Sequence, residues 1–283
     1  MRRGLAREIE GGIEPKEARG KNIKIRAVFV RHGEKATSVK TSETGLTERG
    51  RQESAEFGRG LGKRDAIKPY TTDTKRTRAT SREIVGASPT EKKMKQRIRD
   101  GLRIELDETG PFFKRLMQIK KEIIGEDFQD IPDKELARRT EEAERRQTNY
   151  YLGFGEKRPD PNTYSPVEAA SRVAQTVNTY IKMPERLNNG SEVDLVNAAH
   201  DMPISVFLSE VMVREVDGNR VIGFDNVDEI GGPIRYNEGF ELDISTDQTG
   251  DKVVRMFFRN QAYDIDTNRL QELVEISRGL KDK

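Results

Sequence analysis

Cysteine is missing from the 283 residues, histidine occurs only twice, and neither sign of charge prevails. Without cysteine there is no disulfide framework, no thiolate metal site and no thiol nucleophile. The two histidines, His32 and His200, are too few for a zinc site built on several imidazoles. Lys and Arg number 51 against 49 Asp and Glu, a formal net charge of +2. So weak a field does not supply the counterion release that drives non-specific nucleic-acid binding. No stretch approaches the ~20 apolar residues needed to span a bilayer. Residues 1–21 carry charges throughout and lack the apolar centre of a signal peptide. These absences predict a cytoplasmic protein that engages neither nucleic acid nor membrane.

Charged residues make up 35% of the chain, against roughly 25% in an average soluble domain. The apolar residues are clustered rather than diluted, and the length is ample to bury a core. Residues 1–22 mix charges with glycine and show no sustained period, so they are expected to form a flexible lead-in. Residues 23–30, Ile-Lys-Ile-Arg-Ala-Val-Phe-Val, begin by alternating and end as a continuous apolar run, the pattern of a strand entering a buried, parallel sheet. Thr47 is placed to cap a helix reaching about Leu61. A strand over 66–72, a helix over 75–85 and a short strand over 102–106 follow. This alternation predicts an α/β fold, a three-layer α/β/α sandwich with a mostly parallel central sheet.

Residues 110–165 break the alternation. Phe113, Leu116, Ile119, Ile123 and Ile124 recur at helical spacing in a highly charged stretch. The expectation is a helical insertion serving as a cap within one domain of residues 23–283. Sheet and helix patterns then resume: a helix over 167–188, a strand over 192–199, a helix over 204–212, strands near 221–224, 240–244 and 253–258, and a closing helix over 270–280.

Both histidines directly follow apolar strands, His32 after Val28-Phe29-Val30-Arg31 and His200 after residues 193–199. Ligands of open α/β sheets bind beyond the carboxyl ends of the strands. If the two strands are parallel neighbours, both imidazoles enter one crevice, together with Asp73 and Arg76 from the end of the second strand. Taken singly, each histidine is as well explained by a structural hydrogen bond; the pair is not.

Four segments in order resemble the histidine phosphatase superfamily, which includes phosphoglycerate mutases and acid phosphatases. They are Arg31-His32-Gly33-Glu34 after the first strand, Gly45-Leu46-Thr47-Glu48-Arg49-Gly50-Arg51-Gln52, the segment from Tyr70 to Ser81 with Asp73 and Arg76, and His200-Asp201. The resemblance implies a phosphoglycerate mutase-like fold and phosphoryl transfer without a metal or other cofactor. It further implies His32 as a neutral nucleophile that becomes a phosphohistidine. Arg31, Arg76 and a protonated His200 would bind the phosphate, the guanidinium fork suiting the dianion's oxygens. A carboxylic acid must protonate the leaving alcohol. Glu105 sits where the mutase-like branch carries its acid and is slightly favoured; Asp201 resembles the donor of the acid-phosphatase branch, and Glu108 is a third candidate.

Mutases of this family usually carry an Asn soon after Arg-His-Gly and a Gly-Asn after the second histidine; here stand Lys35-Ala36-Thr37-Ser38 and Asp201-Met202-Pro203. Net hydrolysis of a phosphomonoester is therefore expected over mutase activity, with Thr37 or Ser38 as a further hydroxyl donor to the phosphate. The partner would be a small phosphorylated substrate or a phosphoprotein. Two other readings stay open: a non-catalytic phosphate- or phosphoprotein-binding protein of the same fold, and a phosphohistidine-protein phosphatase.

Overall fold

The computed structural model describes residues 18–35, 45–126 and 130–281. Residues 1–17 of the expected lead-in lie outside them; the described part is tied down, the Gly20 amide donating to the Leu187 carbonyl and the Gly190 amide to that of Lys21.

The elements in chain order begin β1 (Lys24–Arg31), α1 (Glu48–Gly60), β2 (Ala66–Thr71), α2 (Lys75–Ala87) and β3 (Arg97–Ile98). Two helices follow, α3 (Pro111–Ile124) and α4 (Asp133–Leu152), then α5 (Pro166–Ile181), β4 (Glu192–Ala199) and α6 (Asp201–Val211). The rest is β5 (Met212–Val216), β6 (Asn219–Ile222), β7 (Gly239–Thr246), β8 (Lys252–Phe258), β9 (Gln261–Ile265) and α7 (Thr267–Lys281). The described strands form one sheet in the order β3-β2-β4-β1-β7-β8-β9-β5-β6.

Helices cover both faces of its parallel part, which is why β1 is apolar on both sides. Val28 and Val30 face Leu61, Ile84 and Val85 beneath α1 and α2, with Ile67 and Val196 alongside. Ile25, Ala27 and Phe29 face the larger core with Val173, Val177, Phe207 and Leu273. Local signals set the helix starts: Thr47 accepts from the Gly50 amide, Thr74 from that of Thr77, and Ser165 with Glu168 forms a capping box ahead of α5.

The expected mostly parallel sheet is corrected to a mixed one. Three neighbouring pairs are parallel, β3-β2, β2-β4 and β4-β1. Five are antiparallel, from β1-β7 to β5-β6. For two of these five the cause lies in the connection, because a two-residue turn cannot join parallel strands. Asp217-Gly218 joins β5 to β6 and Arg259-Asn260 joins β8 to β9, all four residues with φ between 49° and 76°, the backbone of a tight hairpin. The strand expected over 102–106 is replaced by a 3-10 turn at Asp100–Leu102 and irregular chain. Its apolar residues Leu102 and Ile104 are buried in the larger core without joining the sheet.

Helix α1 lies against the turn after β1 at two glycines. A Cβ on Gly50 would sit 2.4 Å from the Glu34 carbonyl oxygen, and one on Gly33 would sit 2.7 Å from that of Gly50. In an open helix Gly→Ala gains up to about 1 kcal/mol of propensity. Here overpacking costs roughly 1–3 kcal/mol and falls on the segment that holds His32, so the clash wins. Gly50→Ala is expected to lower the urea midpoint; a higher midpoint would show that the turn yields freely.

Candidate active site

Register brings the two histidines together. β1 and β4 pair in parallel with Arg31 opposite Ala199, and the His32 amide donates to the Ala199 carbonyl at 3.0 Å. Leaving the sheet side by side, the imidazoles meet edge to face with centroids 5.3 Å apart. Helix α2, starting just past β2, adds Arg76, whose Nε–H donates to His32 Nε2 at 3.1 Å. Thr72, just past the end of β2, places its hydroxyl 3.3 Å from His200 Nε2.

The His32 ring has one possible neutral form. Its Nδ1 lies 2.8 Å from the Gly33 carbonyl oxygen, which can only accept, so Nδ1 carries the proton. Arg76 Nε–H can only donate, so Nε2 offers its lone pair. Burial, with His200, Arg31 and Arg76 nearby, holds the His32 pKa well below its ordinary value. His200 is also pushed well down, by burial and then by Arg76, Lys35, Arg103 and Arg31. In the free site both shifts favour the neutral imidazole. A bound dianion would work against that depression.

Arg31 is buried and held on several sides. Its Nη1 and Nη2 donate to the two carboxylate oxygens of Glu144 in α4 at 2.9 and 2.5 Å, and Nη1 also donates to the Ile234 carbonyl at 2.6 Å. The guanidinium lies over the Tyr236 ring, 4.1 Å from its centroid. Burial opposes the charge on Arg31, but Glu144 and Asp201 more than offset that and raise its pKa. Arg76 is lowered by burial, which Asp201 partly counters. Asp201, the first residue of α6, is raised above the ordinary carboxylate value by burial; Arg31 and Lys35 oppose the rise, while Glu144 adds to it. Burial, together with Lys120 and Arg76, pulls Lys35 down to about 8. Tyr236 is pushed up to about 12 by burial and by Glu144.

Of the residues singled out in the sequence, the fold gathers Arg31, His32, Arg76, His200 and Asp201. Glu105, the slightly favoured acid, is directed elsewhere: its side chain is 65% exposed and faces Arg172 at 3.8 Å. Glu108 faces Arg103 at 3.8 Å, and Asp73 does so at 3.3 Å, half exposed rather than in the crevice. Thr37 and Ser38 lie outside the described residues. Glu144 and Tyr236 were not anticipated. One sits in a glutamate-rich helix and the other in a loop, and neither stands in a pattern that marks it. Among the described residues no group of three or more His, Asp or Glu is arranged to hold a metal ion, and no helix is long and apolar enough to cross a membrane.

No curated protein matches the chain. Similar solved structures include a phosphoglycerate mutase from Bacillus anthracis str. Sterne, at 13% identity and TM-score 0.48, with 90% of this chain and 98% of that one covered. Another is mycobacterial hydrolase 2, at 16% identity and TM-score 0.49, with the same 90% and 98%. A mycobacterial glucosyl-3-phosphoglycerate phosphatase aligns at 17% identity and TM-score 0.44, with 86% and 97% covered. Over residues 27–106, which carry Arg31, His32 and Arg76, the chain matches the histidine phosphatase superfamily (branch 1), and the family resemblance drawn from the sequence stands.

Proposed function

We propose that this protein is a phosphomonoester hydrolase working through a phosphohistidine on His32, without a metal. The observation that carries the reading is the tautomer of His32: proton on Nδ1, lone pair on Nε2, and two guanidinium groups beside it. Free in solution, an imidazole samples both tautomers and both charge states; here one is selected before substrate arrives. A phosphate dianion entering between Arg31, Arg76 and His200 draws the Arg76 donor away from Nε2 onto its own oxygens. Nε2 then attacks phosphorus in line with the ester oxygen, the N–P bond forms and the P–O bond breaks. Asp201, whose protonated form is favoured by burial, supplies the proton to the departing alcohol. Its carboxylate then takes a proton from water, which attacks phosphorus and releases inorganic phosphate and free His32.

Position favours Asp201 over Glu105 in this role, since it adjoins His200 and acts on both Arg31 and Arg76. Residues 23–283 are read as one domain in which 110–165 is the cap, a view supported by the reach of α4 to Arg31 through Glu144. A cytoplasmic location is part of the proposal and agrees with the absence of cysteine.

The test is release of p-nitrophenol from its phosphate ester with chelator present. Turnover is expected to persist, and rapid quenching in base is expected to trap phosphorylated protein. Phosphate binding without turnover would favour a non-catalytic binding protein. Turnover abolished by chelator would overturn the covalent route.

A further inference from the structure

Arg31 can offer five N–H donors, two on each terminal nitrogen and one on Nε. Glu144 and the Ile234 carbonyl take both from Nη1, and Glu144 takes one from Nη2. Two donors are left: Nε–H and the second Nη2–H. Nε is buried with no hydrogen-bond partner. These two point the same way, because a guanidinium has one fork along its end (Nη1 and Nη2) and another along its side (Nε and Nη2). Glu144 fills the end fork with both oxygens, and the side fork stays open. Tyr236 fixes the plane of the group from its face, and the Ile234 carbonyl fixes its rotation within that plane.

We infer that Glu144 is a positioning residue, which clamps Arg31 by its end so that the open side fork receives two oxygens of the substrate phosphate. The inference rests on the phosphatase reading above and adds to it a residue of the inserted helix α4. The competing picture makes Glu144 a stand-in anion that substrate must expel. A stand-in would occupy the fork that the substrate uses, and Arg31 would not be left with a buried, unpaired Nε. The geometry therefore points to a clamp that remains in place during turnover. It also makes α4 part of the catalytic geometry, since any tilt of that helix turns the fork.

The test uses Glu144→Gln, Glu144→Asp and Arg31→Ala, and the double variant Glu144→Gln with Arg31→Ala, in the full chain. Glutamine keeps the volume, but it replaces one acceptor by an amide that faces an Arg N–H. Binding of inorganic phosphate is read by calorimetry, and kcat and KM are read with p-nitrophenyl phosphate. Misplacement by about 1 Å can cost roughly 100-fold in rate, so Glu144→Gln is expected to lower kcat/KM by roughly 10- to 100-fold and to weaken phosphate binding. Glu144→Asp should recover part of both. Adding Glu144→Gln to Arg31→Ala should change neither quantity further, because the clamp acts only through Arg31. Tighter phosphate binding in Glu144→Gln would identify a stand-in anion and overturn the clamp. Equal losses with and without Arg31 would mean that Glu144 merely supports the fold. Failure of the phosphatase reading would look different: wild-type protein without turnover, or activity that survives the loss of His32.

Discussion

Alanine in place of His32 is expected to remove turnover of phosphomonoesters, a fall in kcat on the order of 10⁴–10⁶ as for other lost nucleophiles. The size follows from the number of jobs concentrated in one ring. In the proposed reaction Nε2 is the atom that attacks, and in the free site it is the acceptor for Arg76 Nε–H. The chain has no cysteine to take its place, and His200 Nε2 already faces the Thr72 hydroxyl. Anion binding should survive, because Arg31 and Arg76 remain and Arg76 is freed from its imidazole partner. The pairing to measure is thus p-nitrophenyl phosphate turnover against inorganic phosphate affinity in the same variant, with the fold checked by circular dichroism. Turnover within tenfold of wild type would end the case for a phosphohistidine.

The second large effect is expected at Asp201. General-acid catalysis contributes typically 10²–10⁴-fold, and the contribution depends on how badly the leaving oxygen needs a proton. Asp201→Asn should slow alkyl phosphates by about that factor and p-nitrophenyl phosphate far less, because nitrophenolate departs unprotonated. Glu105→Gln should show no such selectivity; if it does and Asp201→Asn does not, the acid is Glu105. The sign of the pH dependence follows from the same pair of groups. His32 must be neutral, and its pKa is held below the ordinary 6.5. Asp201 must be protonated, and its pKa is raised above the ordinary 3.8 by burial and by Glu144, against Arg31 and Lys35. Activity should therefore lie on the acid side of neutrality, falling as pH rises through the Asp201 pKa and, at lower pH, as His32 takes up a proton. In Asp201→Asn the alkaline fall should vanish. An unchanged profile would remove Asp201 from the proton path.

Strand-end histidines were legible because period and position coincide: β1 is apolar on both faces, β4 likewise, and each delivers its histidine at the same register. Helix α1 was legible from Thr47, and α2 from the helix pattern over 75–85 that follows the second strand. The antiparallel half was not, for reasons that differ along the chain. Asp217-Gly218 is a recognisable hairpin turn, whereas Arg259-Asn260 adopts the same backbone with no compositional mark. β5 and β9 were passed over; β9 is mostly exposed and β5 is buried only at its start, so their apolar residues show little alternation. Glu105 was favoured because it sits where the mutase-like branch carries its acid, but that stretch folds without a strand and turns the carboxylate toward Arg172. Glu144 lies 113 residues from Arg31 in sequence. Among the many charged residues of α4, only the packed molecule tells which one turns inward.

The place of β4 has a consequence for how the molecule comes into being. β4 lies between β2 and β1, yet it follows them by more than a hundred residues. On the ribosome, β1 and β2 emerge early and have no strand to separate and join them until Glu192 and its successors appear. Contacts so distant in sequence close slowly. Until then the nascent N-terminal half leaves apolar strand edges unpaired, the kind of state that aggregates readily. The stretch that carries the family signature, residues 27–106, is for the same reason not a unit that folds by itself. The crevice that holds both histidines is among the last parts of the protein to form.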